Sequence, residues 1–301
     1  MEEQVPRRRE SDRPRGRLRK GMYILPSLFT TANIAAGFYA ILQTVHGSGE
    51  PRHMDYAAMA IGFAVLFDGL DGRIARMTHT DSDFGKELDS LADVITFGVA
   101  PALLAWMWGF HLLPAATMSP DLHLKITQLG SIACFAFLMA GASRLARFNI
   151  AKNPQPSNPG RPGKKYFVGM PIPAGAGVIA AIIHYSAGVP VTSWVTSISW
   201  LMMVVVVGYL MVSTWRFWSG KEINFSRSHP FQVLVLVAIV VYVVVRYSTW
   251  VMFGIGLTYM FSGIWARAAY GWSRRRRRRP IHAPASPLDQ DAEKHEAPRF
   301  Q

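Results

Sequence analysis

Residues 56–76 read YAAMAIGFAVLFDGLDGRIAR, an apolar run that ends in charged residues. Twelve mainly apolar residues precede Asp68, and Asp71, Arg73 and Arg76 follow it. A helix that crosses a bilayer needs about 20 mostly apolar residues, because it rises about 1.5 Å per residue through about 30 Å of hydrocarbon. The stretch therefore predicts a membrane-spanning helix with acidic and basic side chains near one end.

Apolar runs of similar length recur along the chain and predict an all-α, polytopic membrane helical bundle of about eight transmembrane helices. The predicted spans are residues 23–45, 56–76, 88–110, 126–147, 170–188, 193–214, 231–246 and 249–268. The seventh is the weakest, because it is short and only Arg246 and Tyr247 separate it from the eighth. Residues 231–268 are therefore compatible with either one span or two.

The basic residues predict the orientation of the bundle. The 301 residues include 32 Lys and Arg against 19 Asp and Glu, a formal charge of +13. With both termini in the cytoplasm, 29 of the 32 fall on the inner side, and only Arg52, Lys125 and Arg246 fall outside. Lys and Arg collect on the cytoplasmic side of membrane proteins. Since the charge is divided among the tails and loops on one side, a nucleic-acid binder is not indicated.

The ends of the chain and its single cysteine limit the function further. Residues 1–21 and 273–301 are predicted to be disordered cytoplasmic tails, because they have too little apolar content to form a core. The run Arg274–Arg279 directly follows the last span and is typical of a contact with anionic membrane lipids. Cys134 alone cannot form an internal disulfide or a cysteine zinc cluster.

The acidic residues are concentrated at one place. Outside the tails there are 11 carboxylates, of which seven lie between residues 68 and 93. Asp68 and Asp71 are spaced i, i+3 at the end of one predicted helix, and Asp89 and Asp93 are spaced i, i+4 on the next, so each pair shares a face. A short cytoplasmic loop makes the two helices antiparallel neighbours. The sequence therefore predicts that these four carboxylates meet.

The negative charge of four neighbouring carboxylates must be compensated. An acid at membrane depth costs on the order of 2.5–3.5 kcal/mol on insertion scales, and like charges repel one another in addition. Protonation is one remedy and divalent metal is the other; oxygen ligands without Cys or His suit Mg²⁺ or Mn²⁺. Two such ions would form the usual apparatus for displacement at phosphorus. Asp81, Asp83 and Glu87 are interpreted as solvated loop charges.

Small residues alternate with these acids. Gly72 and Ala75 lie one helical turn after Asp68 and Asp71, and Gly85 lies one turn before Asp89. They leave room for a bulky group such as a nucleotide diphosphate to approach the backbone. Close helix packing, which small residues also promote in membranes, explains them equally well.

The order of these residues resembles the signature of the CDP-alcohol phosphatidyltransferase family. The pattern is Asp-x-x-Asp-Gly-x-x-Ala-Arg over 68–76, then eight residues, then Gly85, Asp89 and Asp93 at intervals of four. The resemblance implies a helical membrane enzyme that transfers a phosphatidyl or similar group from a CDP-linked donor to an alcohol and releases CMP. It also implies two divalent ions, Mg²⁺ or Mn²⁺, held by Asp68, Asp71, Asp89 and Asp93, with Asp93 as general base. A homodimer is expected from the same likeness.

Further stretches resemble one branch, the bacterial CDP-diacylglycerol:serine O-phosphatidyltransferases, or phosphatidylserine synthases. They are Leu25–Asn33, Ser90–Ala102, Arg144–Asn149 and Phe167–Pro173. The likeness implies a six-helix catalytic domain at 22–215, with two additional helices at 216–272. It also implies an active site that faces the cytoplasm from the bacterial inner membrane.

The resemblance assigns binding roles to two groups of residues. Donor contacts are expected at Thr30, Asn33, Gly72, Ala75, Arg76 and Gly85. Contacts with the serine acceptor are expected at Arg144, Arg147 and Asn149, because an Arg fork binds a carboxylate or phosphate bidentately. Thr30 and Asn33 are equally suited to interhelical hydrogen bonds, and the two arginines to topological anchoring.

Two kinds of alternative stay open. The acceptor could be glycerol 3-phosphate, inositol phosphate or choline, with Lys164 and Lys165 adding positive charge for a phosphorylated alcohol. A proton-coupled transporter also buries acids in helices. Transporters usually show paired broken helices and acids near the bilayer midplane, whereas these acids lie at one predicted cytoplasmic end.

Overall fold

A computed structural model describes residues 16–47, 49–78, 83–150, 156–157, 166–219 and 246–277. Side chains are described for residues 30–47, 49–69, 85, 87–116, 118–150, 156–157, 166–219 and 246–272. Most of the two predicted tails and nearly all of the seventh predicted span, 231–246, lie outside these ranges.

The described chain is built mainly from long helices. In order they are α1 Gly16–His46, α2 Pro51–Thr78, α3 Asp83–Asp93, α4 Ala100–Trp106, α5 Pro120–Ile150, α6 Ile172–Tyr185, α7 Trp194–Val212 and α8 Ser248–Arg277. α1 begins before the first predicted span and α8 continues into the arginine run, so both helices take up residues that the sequence assigned to tails. α6, with 14 residues, is shorter than the predicted span 170–188.

The third predicted span is one continuous helical stretch with two changes of winding. A π-helical segment, Val94–Val99, joins α3 to α4, and a second, Met107–His111, follows α4. Pro101 lies at the start of α4 and has no N–H to continue the regular ladder, which suits a change of winding in the turn before it. Asp93, the last residue of α3, directly precedes the first π-helical segment.

Within the residues that the structure describes, four helical stretches are long and apolar enough to cross a membrane. They are Glu87–His111, Pro120–Ile150, Trp194–Val212 and Ser248–Trp272. Their outer faces carry large exposed apolar side chains, including Ile132, Phe135 and Trp265. Exposed apolar surface on this scale is typical of helices in contact with lipid. The protein is therefore a membrane protein with several apolar helices.

The helices pack into one bundle around a shared core. α1 packs against α2, α2 against α6, α6 against α8, and α5 against α7. The core contains Phe97, Phe110, Phe137 and Ile179, all almost fully buried. Gly130 lies against the Phe110 ring and Gly109 against the Trp200 ring, so small residues let neighbouring helices approach closely.

A two-stranded ribbon departs from the all-α expectation. β1 Tyr166–Val168 pairs antiparallel with β2 Arg216–Trp218, with Phe167 opposite Phe217. The ribbon connects the chain before α6 with the chain after α7. Phe217 is buried, and its ring lies against Gly263 of α8, so the ribbon also supports the last helix.

A polar junction marks one end of the bundle, here named the far end. Nδ1 of the buried His184, on α6, lies 2.5 Å from Oδ1 of Asp55 on α2. Nε2 of the same ring lies 2.9 Å from Oγ of Ser248, the first residue of α8. Both ring nitrogens thus have partners, and three helices are tied together at this end.

Candidate active site

Three of the four predicted metal ligands converge at the opposite end of the bundle, here named the site end. Asp68 lies on α2, and Asp89 and Asp93 lie on α3. One carboxylate oxygen from each lies within 4.8 Å of the others. Asp68 and Asp89 are half-buried, whereas Asp93 is 8% exposed. The i, i+4 spacing on α3, together with the packing of α2 against Val94–Val99 and α4, which continue α3, brings three of the four predicted ligands together.

The cluster fits a divalent cation. Two unit charges 4.8 Å apart, the largest separation of these oxygens, repel each other by about 3.5 kcal/mol at an effective dielectric constant of 20, so three together need a positive charge or a proton. Oxygen ligands of one Mg²⁺ lie at about 2.0–2.1 Å from the ion and thus at most about 4.2 Å from one another. Only opposite ligands reach that separation and neighbouring ones lie about 3 Å apart, so side-chain rotations that move the oxygens together by up to about 2 Å would close the cluster around one ion. An all-carboxylate donor set is the hard-oxygen set that Mg²⁺ or Mn²⁺ prefers.

Several predicted site residues have no described side chain. The backbone of α2 continues through Asp71, Gly72, Ala75 and Arg76 to Thr78, but their side chains lie outside the described set. Their roles, including Asp71 as fourth ligand, stay predictions. Gly85, whose donor role is also untested, lies one turn before Asp89 in α3.

α1 places the two predicted nucleotide contacts close to the carboxylate cluster. Thr30 and Asn33 are 5% and 4% exposed. The backbone carbonyl of Asn33 accepts a hydrogen bond of 3.0 Å from Oγ1 of Thr96, in the π-helical segment directly after Asp93. Oδ1 of Asn33 is buried, and among the described residues it has no hydrogen-bond partner. Because a buried polar atom of this kind is costly, it is an available contact for a ligand.

Arg144 brings a buried positive charge to the same place. It lies on α5, is 6% exposed, and its guanidinium carbon lies 5.2 Å from the centre of the Phe148 ring. It interacts electrostatically with Asp93 and with Tyr259 of α8. Its Nε is buried and has no hydrogen-bond partner within the part of the chain that the structure describes. A buried donor on a cation is suited to binding an anionic group.

Arg147 has different surroundings, although it lies only one turn away. Its Nη1 donates to the carbonyl of Val212 at 3.1 Å, and its Nη2 to those of Val168 and Ser213 at 3.4 and 3.5 Å. These carbonyls belong to the end of α7 and to β1. The side chain therefore braces the ribbon against α5 and α7, and its predicted contact with the acceptor stays a prediction.

Gly169 is part of the same brace. Its φ is +73°, in the left-handed region that favours glycine. A Cβ at this position would lie 2.6 and 2.7 Å from the carbonyl oxygens of Met211 and Ser213. Only glycine fits here without moving the chain that Arg147 holds.

Asn149 lies at the end of α5 and bonds to the helix that carries the acids. Its Nδ2 donates to Oγ of Ser90 at 3.1 Å, and Ser90 is one residue from Asp89. The contact fixes the spacing between α5 and α3 at the site end. It is consistent with either a supporting or a ligand-binding role for Asn149.

Two residues near the site were not singled out from the sequence. Thr96 is fully buried and bonds to Asn33, but a threonine in an apolar span does not reveal that partner. Tyr259 interacts with Arg144 from more than 100 positions later in the chain. Its hydroxyl donates to the carbonyl of Trp218 at 3.0 Å. Only the packing of α8 against the bundle connects it with the site.

The sequence is similar to those of known proteins. Residues 23–202 match the family of CDP-alcohol phosphatidyltransferases. A CDP-diacylglycerol–serine O-phosphatidyltransferase of Helicobacter pylori strain 26695 is 32% identical over 219 residues, covering 73% of this chain and 82% of that protein. A protein of the same name from Mycobacterium leprae is 36% identical over 209 residues, covering 67% of this chain and 60% of its own length.

An archaeal relative extends the comparison. The archaetidylserine synthase of Methanothermobacter thermautotrophicus is 32% identical over 192 residues, covering 63% of this chain and 67% of that protein. The family match covers more than half of the chain and includes all three clustered carboxylates. The chain belongs to the CDP-alcohol phosphatidyltransferase family.

Proposed function

We propose that the protein is a CDP-diacylglycerol:serine O-phosphatidyltransferase. It would transfer the phosphatidyl group of CDP-diacylglycerol to the hydroxyl of L-serine, giving phosphatidylserine and CMP. The observation that carries the proposal is the convergence of Asp68, Asp89 and Asp93 beside the buried Arg144. Relatives whose names specify serine or a serine product support that acceptor.

The metal ligands in this proposal are Asp68, Asp71, Asp89 and Asp93. Bound there, Mg²⁺ or Mn²⁺ would supply charge neutralisation for the donor pyrophosphate and orient it for displacement. One oxygen from each of the three described carboxylates lies within 4.8 Å of the others, which supports a shared cation.

Asp93 is the proposed general base. It is the most buried of the three described acids, and it lies at the junction of α3 with the π-helical segment, between α1 and α5. One of its oxygens would accept the proton of the serine hydroxyl as the hydroxyl oxygen attacks phosphorus. The bond from phosphorus to the CMP oxygen breaks in the same step, so no covalent enzyme intermediate is needed.

Arg144 is the proposed acceptor contact. Its guanidinium faces the same site as Asp93 and has a buried N–H to donate. A carboxylate at this place would position the serine hydroxyl towards Asp93 and compensate the buried charge. Asn149 would support this arrangement through Ser90.

The proposed donor contacts lie on α1, α2 and α3. Asn33 offers a buried amide oxygen that has no hydrogen-bond partner among the described residues and would accept a hydrogen bond from an amino group such as that of cytosine. Thr30 lies one turn before it on the same helix. Gly72, Ala75, Arg76 and Gly85 complete the proposed donor site on grounds of sequence pattern alone.

The proposal places residues 22–215 in the catalytic domain and 216–272 in additional helices, which the family match over 23–202 supports. It also places the protein in a bacterial inner membrane, with the site end facing the cytoplasm. The distribution of Lys and Arg supports this orientation. A homodimer remains a prediction, which the mass of the purified protein in detergent would test.

An acceptor panel tests the reaction directly. Purified protein with CDP-diacylglycerol and Mn²⁺ or Mg²⁺ is given serine, glycerol 3-phosphate, inositol phosphate or choline separately, and CMP release is followed. Release with serine alone is expected. Release with another alcohol and not with serine would move the protein to a different branch of the family.

The carboxylate cluster is tested in the same assay. Asp68→Asn and Asp93→Asn should each abolish CMP release while the thermal unfolding midpoint in detergent is kept or raised, because charge repulsion is relieved. Glu87→Gln is the matched control, because Glu87 is exposed and lies two residues before Asp89, on nearly the opposite face of α3; it should retain turnover. Full activity in Asp93→Asn would disprove its role as general base.

A further inference from the structure

The ring of Phe148 lies against Arg144, the proposed acceptor contact. The two residues are spaced i, i+4 on α5, so their side chains share one face of the helix. The guanidinium carbon of Arg144 lies over the Phe148 ring, 5.2 Å from its centre. This is within the distance of about 6 Å at which a cation is attracted to the face of a ring. A guanidinium donates through N–H groups at its edge, so contact with its central carbon leaves those groups available to an anion.

Phe148 in turn contacts the two-stranded ribbon. Its ring centre lies 6.3 Å from that of Phe167, the middle residue of β1, and the two planes are tilted by 58°. This separation falls within the range of about 4.5–7 Å that is typical of interacting aromatic pairs. Phe148 is 37% exposed, so the surrounding helices alone do not fix its ring. The contact with Phe167 is therefore a second restraint on the ring that carries the guanidinium.

The ribbon itself is held on both sides. Phe167 lies opposite Phe217 in the register of the two strands, and the buried Phe217 ring lies 5.7 Å from the ring of Tyr259 on α8. Directly after β1, the N–H of Gly169 donates to the carbonyl of Trp215 at 2.8 Å. Together with the Arg147 brace, these contacts fix the ribbon against α5, α7 and α8. Phe167 is thus presented to Phe148 from a rigid support.

The segment of α5 that carries Phe148 is also fixed against the helix with the acids. Asn149, the next residue, donates to Oγ of Ser90, which directly follows Asp89. Further along, α5 packs against the π-helical segment Val94–Val99, which directly follows Asp93. Because α5 is restrained at both places, loss of the Phe148 ring would change the orientation of the guanidinium rather than the position of the helix.

We infer that Phe148 is a positioning residue, whose ring orients Arg144 for the acceptor and is itself held by Phe167 of the ribbon. The inference rests on the proposed function, since it takes the carboxylate of the acceptor as the partner of Arg144. An arginine side chain has many rotamers, and a contact that restricts them before binding lowers the entropic cost of binding. The ring therefore increases the affinity for the acceptor without touching it. The sequence pattern assigns neither phenylalanine a role.

Replacing the ring tests the inference. Phe148→Leu keeps an apolar side chain but removes the ring face, and CMP release is measured at varied serine and at varied CDP-diacylglycerol. The KM for serine should rise about fivefold, which corresponds to about 1 kcal/mol at about 1.4 kcal/mol per factor of ten. The KM for the donor and kcat should stay at their wild-type values. Phe148→Tyr keeps the ring and should keep the wild-type KM for serine.

Phe135→Leu is the matched control, because Phe135 is an exposed phenylalanine on the outer face of the same helix. It should leave both KM values unchanged. Phe167→Leu should give a smaller rise in the KM for serine alone, and it decides the matter if Phe148→Leu does not fold. An unchanged KM for serine in the leucine variants, or an equal rise for both substrates, would overturn the inference. Equal impairment of Phe148→Tyr and Phe148→Leu would do the same. Absence of CMP release from the wild type with serine would instead contradict the proposed function.

Discussion

Arg144 and Arg147 show how two residues of one type, one helical turn apart, acquire different tasks. Arg144 is buried near Asp93, and its Nε has no hydrogen-bond partner among the described residues, whereas Arg147 donates to three backbone carbonyls. The sequence placed both in the acceptor site, because nothing in the stretch Arg144–Asn149 distinguishes them. The difference comes from β1 and the end of α7, which reach only Arg147.

Substitution should separate the two arginines. Arg144→Ala is expected to raise the KM for serine more than the KM for the lipid donor, because the proposed carboxylate contact is lost. Arg147→Ala is expected to lower stability by about 1.5–3 kcal/mol, the usual value of hydrogen bonds to a charged group. Thermal unfolding in detergent and initial rates at varied serine concentration measure the two effects.

Arg147→Lys provides a control for the comparison of the two arginines. Arg147→Lys keeps the charge but not the fork, so part of the stability loss should remain. If Arg147→Ala instead raised the KM for serine without changing the unfolding midpoint, Arg147 would be an acceptor ligand. A selective rise in the donor KM in Arg144→Ala would move that residue to the phosphate site.

The carboxylates were the part of the site that the sequence predicted best. Their spacing is local, and helix geometry alone converts it into shared faces. Thr96 and Tyr259 were not predicted, because their partners are distant in the chain and chosen by packing. Asp71 remains a prediction from the same pattern that located Asp68 correctly beside Asp89 and Asp93.

At the scale of elements, hydrophobicity predicted where helices lie better than how they are wound. The third predicted span, 88–110, falls within one helical stretch, but two π-helical segments interrupt it. The ribbon of β1 and β2 was not predicted, since three-residue strands carry too little alternation to be recognised. Its stability comes from Phe217 packed against α8 and from the Arg147 brace.

The crossing of α1 with the π-helical segment Val94–Val99 depends on Gly37. A Cβ at Gly37 would lie 2.8 Å from the Cα of Thr96, closer than side-chain repacking can relieve. Gly37→Ala should therefore destabilise the protein by about 1–3 kcal/mol, the usual cost of overpacking. It should also reduce turnover, because Thr96 holds the carbonyl of Asn33.

Gly208→Ala is the control for the Gly37→Ala variant. Gly208 is also a buried helical glycine, but its Cβ would lie 3.5 Å from the Cα of Phe137, an ordinary distance. The replacement should be neutral or stabilising by up to about 1 kcal/mol through helix propensity. Equal unfolding midpoints for the two variants would show that the crossing tolerates a side chain.

The whole molecule has two chemically different ends. The far end holds the Asp55–His184–Ser248 junction, and the site end holds the carboxylates, Arg144 and Arg147. α7 finishes at the site end, where Val212 contacts Arg147, whereas α8 starts at the far end. Residues 220–245, which join the two and include most of the seventh predicted span, lie outside the described residues.

The orientation of these ends in the membrane is the last prediction. The excess of Lys and Arg predicts that the site end faces the cytoplasm. In a Cys134→Ser background, single cysteines are introduced at two exposed neutral positions, Ala116 at the far end and Ile150 at the site end. A membrane-impermeant maleimide added to right-side-out vesicles should label Ala116→Cys, and it should label Ile150→Cys only after permeabilisation. Because neither change alters a charge, the topology signal is kept. The reverse labelling pattern would put the site end outside, where cytoplasmic serine and a CDP-linked donor could not reach it.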